Sequence, residues 1–160
     1  METIIALDPG IARTGYAILV RQAEDIKTIK YGCIETKPKT KTEIRLKTIY
    51  SKLEKLIKDF HPTTMVLERV FFNTNQTTAI IVGQAQGVML LAAANRNLQI
   101  NLVTPLQIKQ ALTGYGQATK TQVTKMVMVI LNLKKIPRPD DTADALACGL
   151  TYFFTNKLLK

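Results

Sequence analysis

The chain has 160 residues, 46% of them hydrophobic, and its 22 Lys and Arg against 12 Asp and Glu give a net charge of +10. The length predicts one domain with a full core. Because we find neither an apolar run of bilayer length nor a secretory leader, we expect no membrane association and a cytoplasmic location. The surplus of positive charge favours a polyanionic partner, with nucleic acid first and an anionic membrane surface second. Cys33 and Cys148 lack metal-ligand spacing and are expected to be buried, reduced thiols.

The first predicted element is a buried strand over residues 4–7, and it leads into a carboxylate, Asp8. Pro9 cannot donate to a strand ladder and Gly10 permits a tight turn, so strand pairing should stop just after Asp8. Apolar residues resume over 16–20, which predicts a hairpin partner. Asp8 then lies at the mouth of a sheet, although an ordinary strand-ending turn residue remains the alternative.

A third strand over residues 26–34 would complete an antiparallel meander, followed by a polar loop over 35–42. Apolar residues at spacings of three and four then predict an amphipathic helix over 43–60. The helix should end at His61, because a residue that precedes proline disfavours the helical conformation. We interpret His61, the single histidine, as a turn residue and not as a ligand.

The next predicted strand, residues 65–68, also ends in a carboxylate, Glu68. A strand that follows such a helix is expected to cross over and pair in parallel with the first strand. Asp8 and Glu68 would then lie side by side at one edge of the sheet. Two neighbouring strands that each end in an acid are a more specific signal than either acid alone.

A long helix is predicted over residues 77–97, with Gly83 and Gly87 inside it. A helical glycine costs about 1 kcal/mol relative to alanine, so these two need a packing reason. Close contact with the sheet is our first interpretation, and contact with a second subunit is the next. Shorter elements follow, namely a strand at 100–103, a helix at 105–111, a turn at 113–117 and a helix at 123–131.

The last predicted helix begins with three acids, Asp140, Asp141 and Asp144. Acids in a first turn are favoured by the helix dipole, but three exceed what a cap requires. At about 100° per residue, Asp144 shares a face with either of the other two, so the periodicity leaves the pair open.

Asp8, Glu68 and two acids of the last helix would meet at one edge of the sheet. So many carboxylates in an apolar setting cannot all stay ionised without a cation. Mg²⁺ or Mn²⁺ prefer such oxygen ligands, and two ions about 3.5–4 Å apart can clamp the attacking and leaving oxygens of a phosphodiester. An acidic metal cluster in a basic protein therefore predicts a nuclease, whose Lys and Arg neutralise the flanking phosphates.

Short motifs occur in one order from about residue 3 to residue 154. They are Asp8-Pro-Gly with Thr14-Gly15-Tyr16, Glu68-x-Val70-Phe71, Gly83-Gln84-Ala85-x-Gly87, Lys109-Gln110 and Asp141-x-x-Asp144-Ala145-Leu146-Ala147. Together they resemble the RuvC family of bacterial Holliday-junction resolvases. The resemblance implies a single RNase H-like nuclease domain over residues 1–160, an α/β fold with a mixed five-stranded sheet flanked by helices.

The same resemblance implies an activity. Such a resolvase acts as a homodimer in DNA recombination and repair, and nicks two strands of like polarity at a four-way junction. It uses divalent metal, here two Mg²⁺ per active site with Mn²⁺ as a substitute, and leaves 5′-phosphate and 3′-hydroxyl ends. Its family partner is a branch-migration motor complex of the RuvA and RuvB type.

The resemblance assigns metal binding and catalysis to four acids, Asp8, Glu68, Asp141 and Asp144. It thereby favours Asp141 over Asp140 on the last helix. Asp140 would then be an N-cap or a supporting residue.

Basic and aromatic residues are assigned to DNA in the same way. Phe71 matches an aromatic that stacks on a base near the crossover, with a plain core Phe as the alternative. Lys109 and Lys120 match basic residues near the scissile phosphate, and Lys120 would act in catalysis by stabilising charge that develops there. Solvated surface charge is the alternative for both lysines. The further DNA-contact candidates are Arg13, Arg69, Asn73 and Gln76.

Three other functions compete with the resolvase. A YqgF-like RNase H-fold nuclease acting on RNA shares the early Asp-x-Gly turn, but the Gly-rich helix and the Glu68-x-Val70-Phe71 segment argue against it. An actin-like sugar kinase or ATPase also carries an Asp-x-Gly and Thr-Gly loop, yet it needs two lobes and more than 160 residues. A non-catalytic junction-binding module would be expected to have lost one or more of the acids.

Overall fold

The computed structural model describes residues 1–69 and 76–156, and a five-stranded mixed sheet forms the centre of that part. The strands are β1 (Glu2–Asp8), β2 (Arg13–Gln22), β3 (Asp25–Glu35), β4 (Thr64–Glu68) and β5 (Gln99–Val103). Their order is β3-β2-β1-β4-β5, in which β1, β2 and β3 pair antiparallel and β4 pairs parallel with both β1 and β5. The predicted meander, crossover and mixed sheet of an RNase H-like fold are confirmed.

Helices cover both faces of this sheet. They are α1 (Thr42–Phe60), α2 (Gln76–Asn95), α3 (Pro105–Thr113), α4 (Lys120–Ile130) and α5 (Asp140–Thr155). One core lies between the sheet and α1 and α2, and a second lies between the sheet and α3, α4 and α5. None of the helices described is long and apolar enough to cross a membrane.

The central strand β1 is buried on both faces, which explains its continuous apolar run. Ile5 and Leu7 contribute to the core under α1 and α2, whereas Ile4 and Ala6 contribute to the core under α5. Successive side chains of a strand point to opposite faces, so the even-numbered residues of β1 lie on the α5 side. Asp8 continues that even-numbered series.

The ends of two helices test the predictions about capping. His61 adopts a left-handed conformation with φ 46°, and its N–H donates to the Ile57 carbonyl, so it is the turn residue we expected at the end of α1. At α5 the N-cap position belongs to Pro139, and no side chain caps this end. The N-cap role predicted for Asp140 is therefore wrong, because the helix begins one residue earlier than that role requires and Asp140 is its first helical residue.

Gly83 and Gly87 do not contact the sheet, contrary to our first interpretation. A Cβ added at either residue would meet no heavy atom within 4 Å among the described parts of the chain. The buried side of α2 is formed instead by larger residues such as Ala85 and Met89. The glycines thus lie on the outward side of the helix, where the second interpretation, contact with another subunit, stays a prediction.

The two cysteines are free, as expected, but only one is fully buried. Cys148 lies inside α5 without exposure, whereas Cys33 on β3 is partly exposed. The reason is that β3 is an edge strand with a mostly exposed surface.

Candidate active site

Asp8 and Glu68 end neighbouring parallel strands and lie on the same face. In the parallel ladder Ala6 pairs with Val66, and both contribute to the core under α5. Two residues further on, Asp8 and Glu68 must face the same side, since strand side chains alternate with a period of two. Both carboxylates are half-buried, at the point where the sheet meets α5.

The first turn of α5 reaches this edge because β2 carries a glycine there. A Cβ on Gly15 would collide with the backbone carbonyl of Asp141, so only glycine allows the helix to approach this closely. Gly15 pairs with Asp8 in the antiparallel ladder. The close approach therefore sets Asp141, and Asp144 one turn later, beside the end of β1.

The other end of α5 is fixed by a polar network. Arg21 donates from Nη1 to the Phe153 carbonyl at 2.9 Å and from Nη2 to Glu2 Oε2 at 2.8 Å. The Tyr152 hydroxyl donates to Glu2 Oε1 at 2.7 Å. The first turn of α5 packs against Gly15 and its last turn is hydrogen-bonded to the sheet, so the helix is well placed to support its two acids.

The acids at this edge raise one another's pKa. Burial is the largest cause for Asp8, and the carboxylates of Glu68, Asp144 and Asp141 add to it, so the pKa of Asp8 rises to about 8. The pKa values of Glu68 and Asp144 are also raised, first by burial. The ammonium of Lys120 acts in the opposite direction on all three. Negative charge at this edge thus exceeds what the neighbouring side chains compensate.

Lys120 forms the closest contact to the acids. Its Nζ donates to Asp144 Oδ2 at 2.6 Å. Lys120 is the first residue of α4, whose start is fixed by a capping box in which the Thr119 hydroxyl accepts from the Gln122 N–H and Gln122 accepts from the Thr119 N–H. The cap therefore fixes the backbone position from which the Lys120 side chain reaches Asp144.

A cleft of about 280 Å³ opens beside this pair, and we call it the acid cleft. Its lining includes Glu68 and Asp144 together with Lys109 of α3 and Lys120. Two of the four predicted acids and both predicted lysines thus share one cleft. Acids that coordinate a cation and lysines that bind phosphate would be adjacent there.

The side chains of Asp140 and Asp141 have different partners. Asp141 raises the pKa of Asp8 and lies 3.7 Å from Arg13, from its Oδ2 to Nη1. Asp140 is exposed and accepts from Arg138 Nη1 at 2.9 Å instead. The geometry favours Asp141 as the partner of Asp144, and it brings Arg13, at the start of β2, to the edge of the site.

The other DNA-contact candidates are only partly described. Arg69 follows β4 with an exposed side chain, and its N–H donates to the Val103 carbonyl at 2.7 Å. Phe71 and Asn73 lie outside the described residues, and so does the side chain of Gln76. Their predicted DNA contacts stay predictions.

The residues present fit a bound cation, although they are not closed around one. Within residues 1–69 and 76–156, no three His, Cys, Asp or Glu side chains lie close enough together to hold a metal ion as they stand. Carboxylates repel one another, and Lys120 already occupies one oxygen of Asp144. The uncompensated negative charge and the all-oxygen donor set nevertheless suit a hard divalent ion such as Mg²⁺.

Gly15 is the residue whose role the sequence analysis missed, although it lies inside a quoted motif. An isolated glycine inside a strand pattern signals close backbone approach, but it does not say which element approaches.

We expect Gly15→Ala to lower nuclease activity about 100-fold or more, because the methyl group would push the first turn of α5 away from Asp8. The Mg²⁺ concentration at half-maximal activity should rise as well. The control is Ser51→Ala, at an exposed position of α1 outside both the active site and the predicted subunit contact on α2. A Gly15→Ala protein with unchanged Mg²⁺ dependence and activity would contradict this role.

Comparison with known proteins agrees with the order of these elements. A family model for the crossover junction endodeoxyribonuclease RuvC matches residues 4–152. The chain is 47% identical over 152 residues to the crossover junction endodeoxyribonuclease RuvC of Alkaliphilus oremlandii, which covers 95% of this chain and 93% of the relative. The corresponding protein of Alkaliphilus metalliredigens is 48% identical over 149 residues, or 93% of this chain and 91% of that one.

The fold matches a solved structure over almost its whole length. Thermus thermophilus RuvC in complex with a Holliday junction substrate superimposes with a TM-score of 0.93 at 33% sequence identity, covering 99% of this chain and 96% of that chain. Sequence motifs, strand order and overall structure thus lead to one assignment. The chain belongs to the RuvC family of crossover junction endodeoxyribonucleases.

Proposed function

We propose that this protein is a Holliday-junction resolvase, a metal-dependent endodeoxyribonuclease that cuts four-way DNA junctions by paired symmetric nicks during recombination and repair. The observation that carries the proposal is the meeting of Asp8 and Glu68, at the ends of two parallel strands, with the first turn of α5. Membership of the RuvC family supplies the substrate class. One nuclease domain spanning residues 1–160 would perform the reaction.

We assign the metal site to Asp8, Glu68, Asp141 and Asp144. Nucleases of this family are metal-dependent, and two Mg²⁺ ions, with Mn²⁺ as a substitute, suit this set of carboxylates. Bound there, the metal would supply a nucleophilic water and neutralise charge on the scissile phosphate. The protein's own part is to hold four carboxylates on rigid elements, two on strand ends and two on α5.

We assign phosphate contacts to the two lysines of the acid cleft. Lys120 would move its ammonium from Asp144 to the phosphate and stabilise the charge that develops on the leaving oxygen. Lys109 lines the same cleft, where it can bind a neighbouring phosphate. Both products, a 3′-hydroxyl and a 5′-phosphate, follow if water attacks the phosphorus and the 3′ oxygen leaves with a proton.

The remaining DNA contacts are assigned by resemblance. Arg13, beside Asp141, and Arg69, after β4, would bind backbone phosphates, and Asn73 would contact the same strand. Phe71 would stack on a base that leaves the helix near the crossover.

We further propose a homodimer. A four-way junction has approximate two-fold symmetry, so symmetric nicking calls for two active sites related by a two-fold axis. The outward side of α2 with Gly83 and Gly87 is our candidate for part of the interface, since no described part of the chain covers it. The partners in the cell would be a branch-migration motor of the RuvA and RuvB type, and the two free thiols suit the cytoplasm.

We expect the purified protein to nick a synthetic mobile four-way junction in Mg²⁺ and not in EDTA. The nicks should form symmetric pairs that ligase reseals, and linear duplex of the same sequence should stay intact. A denaturing gel with both strands labelled separately measures all three properties.

Two results would replace the proposal. Junction binding without metal-dependent nicking would indicate a non-catalytic junction-binding module. Cleavage of single-stranded RNA with the junction left intact would indicate a YqgF-like nuclease.

A further inference from the structure

The acids of this chain are distributed very unevenly. No Asp or Glu occurs between Glu68 and Asp140, a segment that carries eight Lys and Arg. Residues 69–139 therefore contribute +8 of the net charge of +10. The described part of this segment includes α3, α4 and the loop before α5, all on the side of the sheet that holds the acids.

A second cleft, of about 300 Å³, lies on α4, and we call it the α4 cleft. Thr121, Lys125 and Met128 are spaced by four and three residues and so line it from one helix face. Ile136 and Arg138, from the loop before α5, line it as well.

The α4 cleft and the acid cleft share one residue. Lys120 lines both of them, and its ion-pair partner Asp144 lines the acid cleft. A DNA strand with its scissile phosphate at Lys120 would therefore pass beside the α4 cleft.

The chemistry of the α4 cleft suits a nucleotide. Its polar rim is cationic, since Asp140 is neutralised by Arg138 at 2.9 Å and no described ion pair engages Lys125. Its apolar lining comes from Met128 and from Ile136, which is 52% exposed. A phosphate beside a sugar and a base combines the same two properties in one ligand.

We propose that the α4 cleft binds a nucleotide that flanks the scissile phosphate on the cut strand. Lys125 binds the phosphate of this nucleotide, and Met128 and Ile136 contact its sugar or base. This inference rests on the proposed junction-cleaving function and extends the path of the strand beyond the acid cleft. Arg138 has a smaller part, because Asp140 already holds it.

The first test compares Lys125→Ala with Lys52→Ala, a lysine on the exposed side of α1 on the opposite face of the sheet. We expect Lys125→Ala to raise the junction Kd in EDTA and the KM in Mg²⁺ about 5- to 10-fold, with kcat within about two-fold of the wild type. The slope of log K against log salt should fall by about 1. Lys52→Ala should leave Kd, KM and slope unchanged.

The second test locates the contact on the DNA. Synthetic junctions with a single neutral methylphosphonate at successive positions beside the cleavage site are bound by wild type and by Lys125→Ala. We expect the loss caused by Lys125→Ala to disappear at one or two adjacent phosphates on one side of the scissile bond, since the charge that Lys125 would bind is already absent there.

These results separate the two proposals. If wild type cuts junctions and Lys125→Ala binds all of them as Lys52→Ala does, the α4 cleft does not bind the cut strand and the inference fails alone. An equal loss at every methylphosphonate position would make Lys125 a diffuse surface charge and would also overturn it. If wild type neither binds nor cuts junctions, the proposed function fails first.

Discussion

Asp8→Asn is expected to reduce junction nicking at least about 10³-fold while junction binding in EDTA stays within about three-fold of the wild type. Asn keeps the shape of Asp but removes the negative charge at the centre of the acid cluster, where Glu68, Asp144 and Asp141 converge on it. A metal site that lacks this ligand loses charge stabilisation worth roughly 4 kcal/mol, which corresponds to that factor. Single-turnover cleavage of a preformed complex measures the chemical step directly.

The control for this experiment is Asp140→Asn. Asp140 has the same charge and belongs to the same first turn of α5, but it is exposed and pairs with Arg138. Its variant should cut at nearly the wild-type rate. If Asp140→Asn lost activity as Asp8→Asn does, general electrostatics and not a specific ligand role would account for both.

Asp8→Asn should also make the metal-free protein more stable. The folded protein holds Asp8 with a pKa of about 8, whereas the unfolded carboxyl has an ordinary value of 3.8, so folding favours the protonated form. Wild-type stability in EDTA must then fall as the pH rises from 4 to 8, because the unfolded state releases this proton first. Asp8→Asn removes the share of this fall that Asp8 causes, leaving the shares of Glu68 and Asp144, and gains on the order of 3 kcal/mol at about pH 8, measured by urea unfolding. Parallel pH profiles for the two proteins would contradict this account.

Stability and activity thus oppose each other at one residue. The four acids lie on strand ends and on a helix that packs against Gly15 at one end and is hydrogen-bonded to the sheet at the other, so they cannot move far apart to relieve their repulsion. The free energy lost in the metal-free state is available again when a cation binds to the folded protein. A non-catalytic module would have no reason to keep such a cluster, which is a physical argument against that alternative.

The positions of Asp8 and Glu68 could be predicted from sequence because local rules determine them. Each follows a short apolar run and precedes a turn, and the intervening helix requires a crossover that places the two strands in parallel. The choice between Asp140 and Asp141 could not be made in this way, since both share a face with Asp144. It depends on how close α5 comes to β2, and Gly15 determines that distance.

The glycines of α2 show the opposite case. A helical glycine needs a packing partner, and the sheet is the nearest one to expect, yet Gly83 and Gly87 lie on the outward side while Ala85 and Met89 contact the core. Apolar residues occur all around this helix, and no charged residue marks its outer side. The sequence pattern therefore does not predict on which side of the helix the glycines lie. Sequence periodicity cannot distinguish a buried face from one that a second subunit would cover.

The ion pair between Lys120 and Asp144 could not be predicted from the sequence either. The two residues are 24 positions apart on different helices, and only the packing of α4 against α5 brings Nζ to 2.6 Å from Oδ2. The resemblance places Lys120 near the phosphate but gives it no partner in the absence of DNA. Removal of the Lys120 ammonium should therefore have a second large effect on activity.

Lys120→Met is expected to lower kcat on junctions on the order of 10²-fold while leaving KM within about three-fold. Methionine keeps the length and apolar stem of lysine but removes the ammonium, so the charge that develops on the phosphate and leaving oxygen loses one donor. The variant should also bind Mg²⁺ more tightly, because no ammonium competes for Asp144. Direct Mg²⁺ titration of the free protein, followed by calorimetry, measures this without relying on activity.

The two measurements together separate a catalytic lysine from a structural one. Lys134→Met removes an equal charge from the exposed loop before α5, outside both clefts, and should change neither kcat nor Mg²⁺ affinity. A Lys120→Met protein with lower kcat and weaker Mg²⁺ binding would mean that Lys120 supports the acids and does not act on phosphate. Lower kcat together with tighter Mg²⁺ binding would mean that the Lys120 ammonium acts on the phosphate. If this ammonium only held Asp144 in place, its removal could not produce both results.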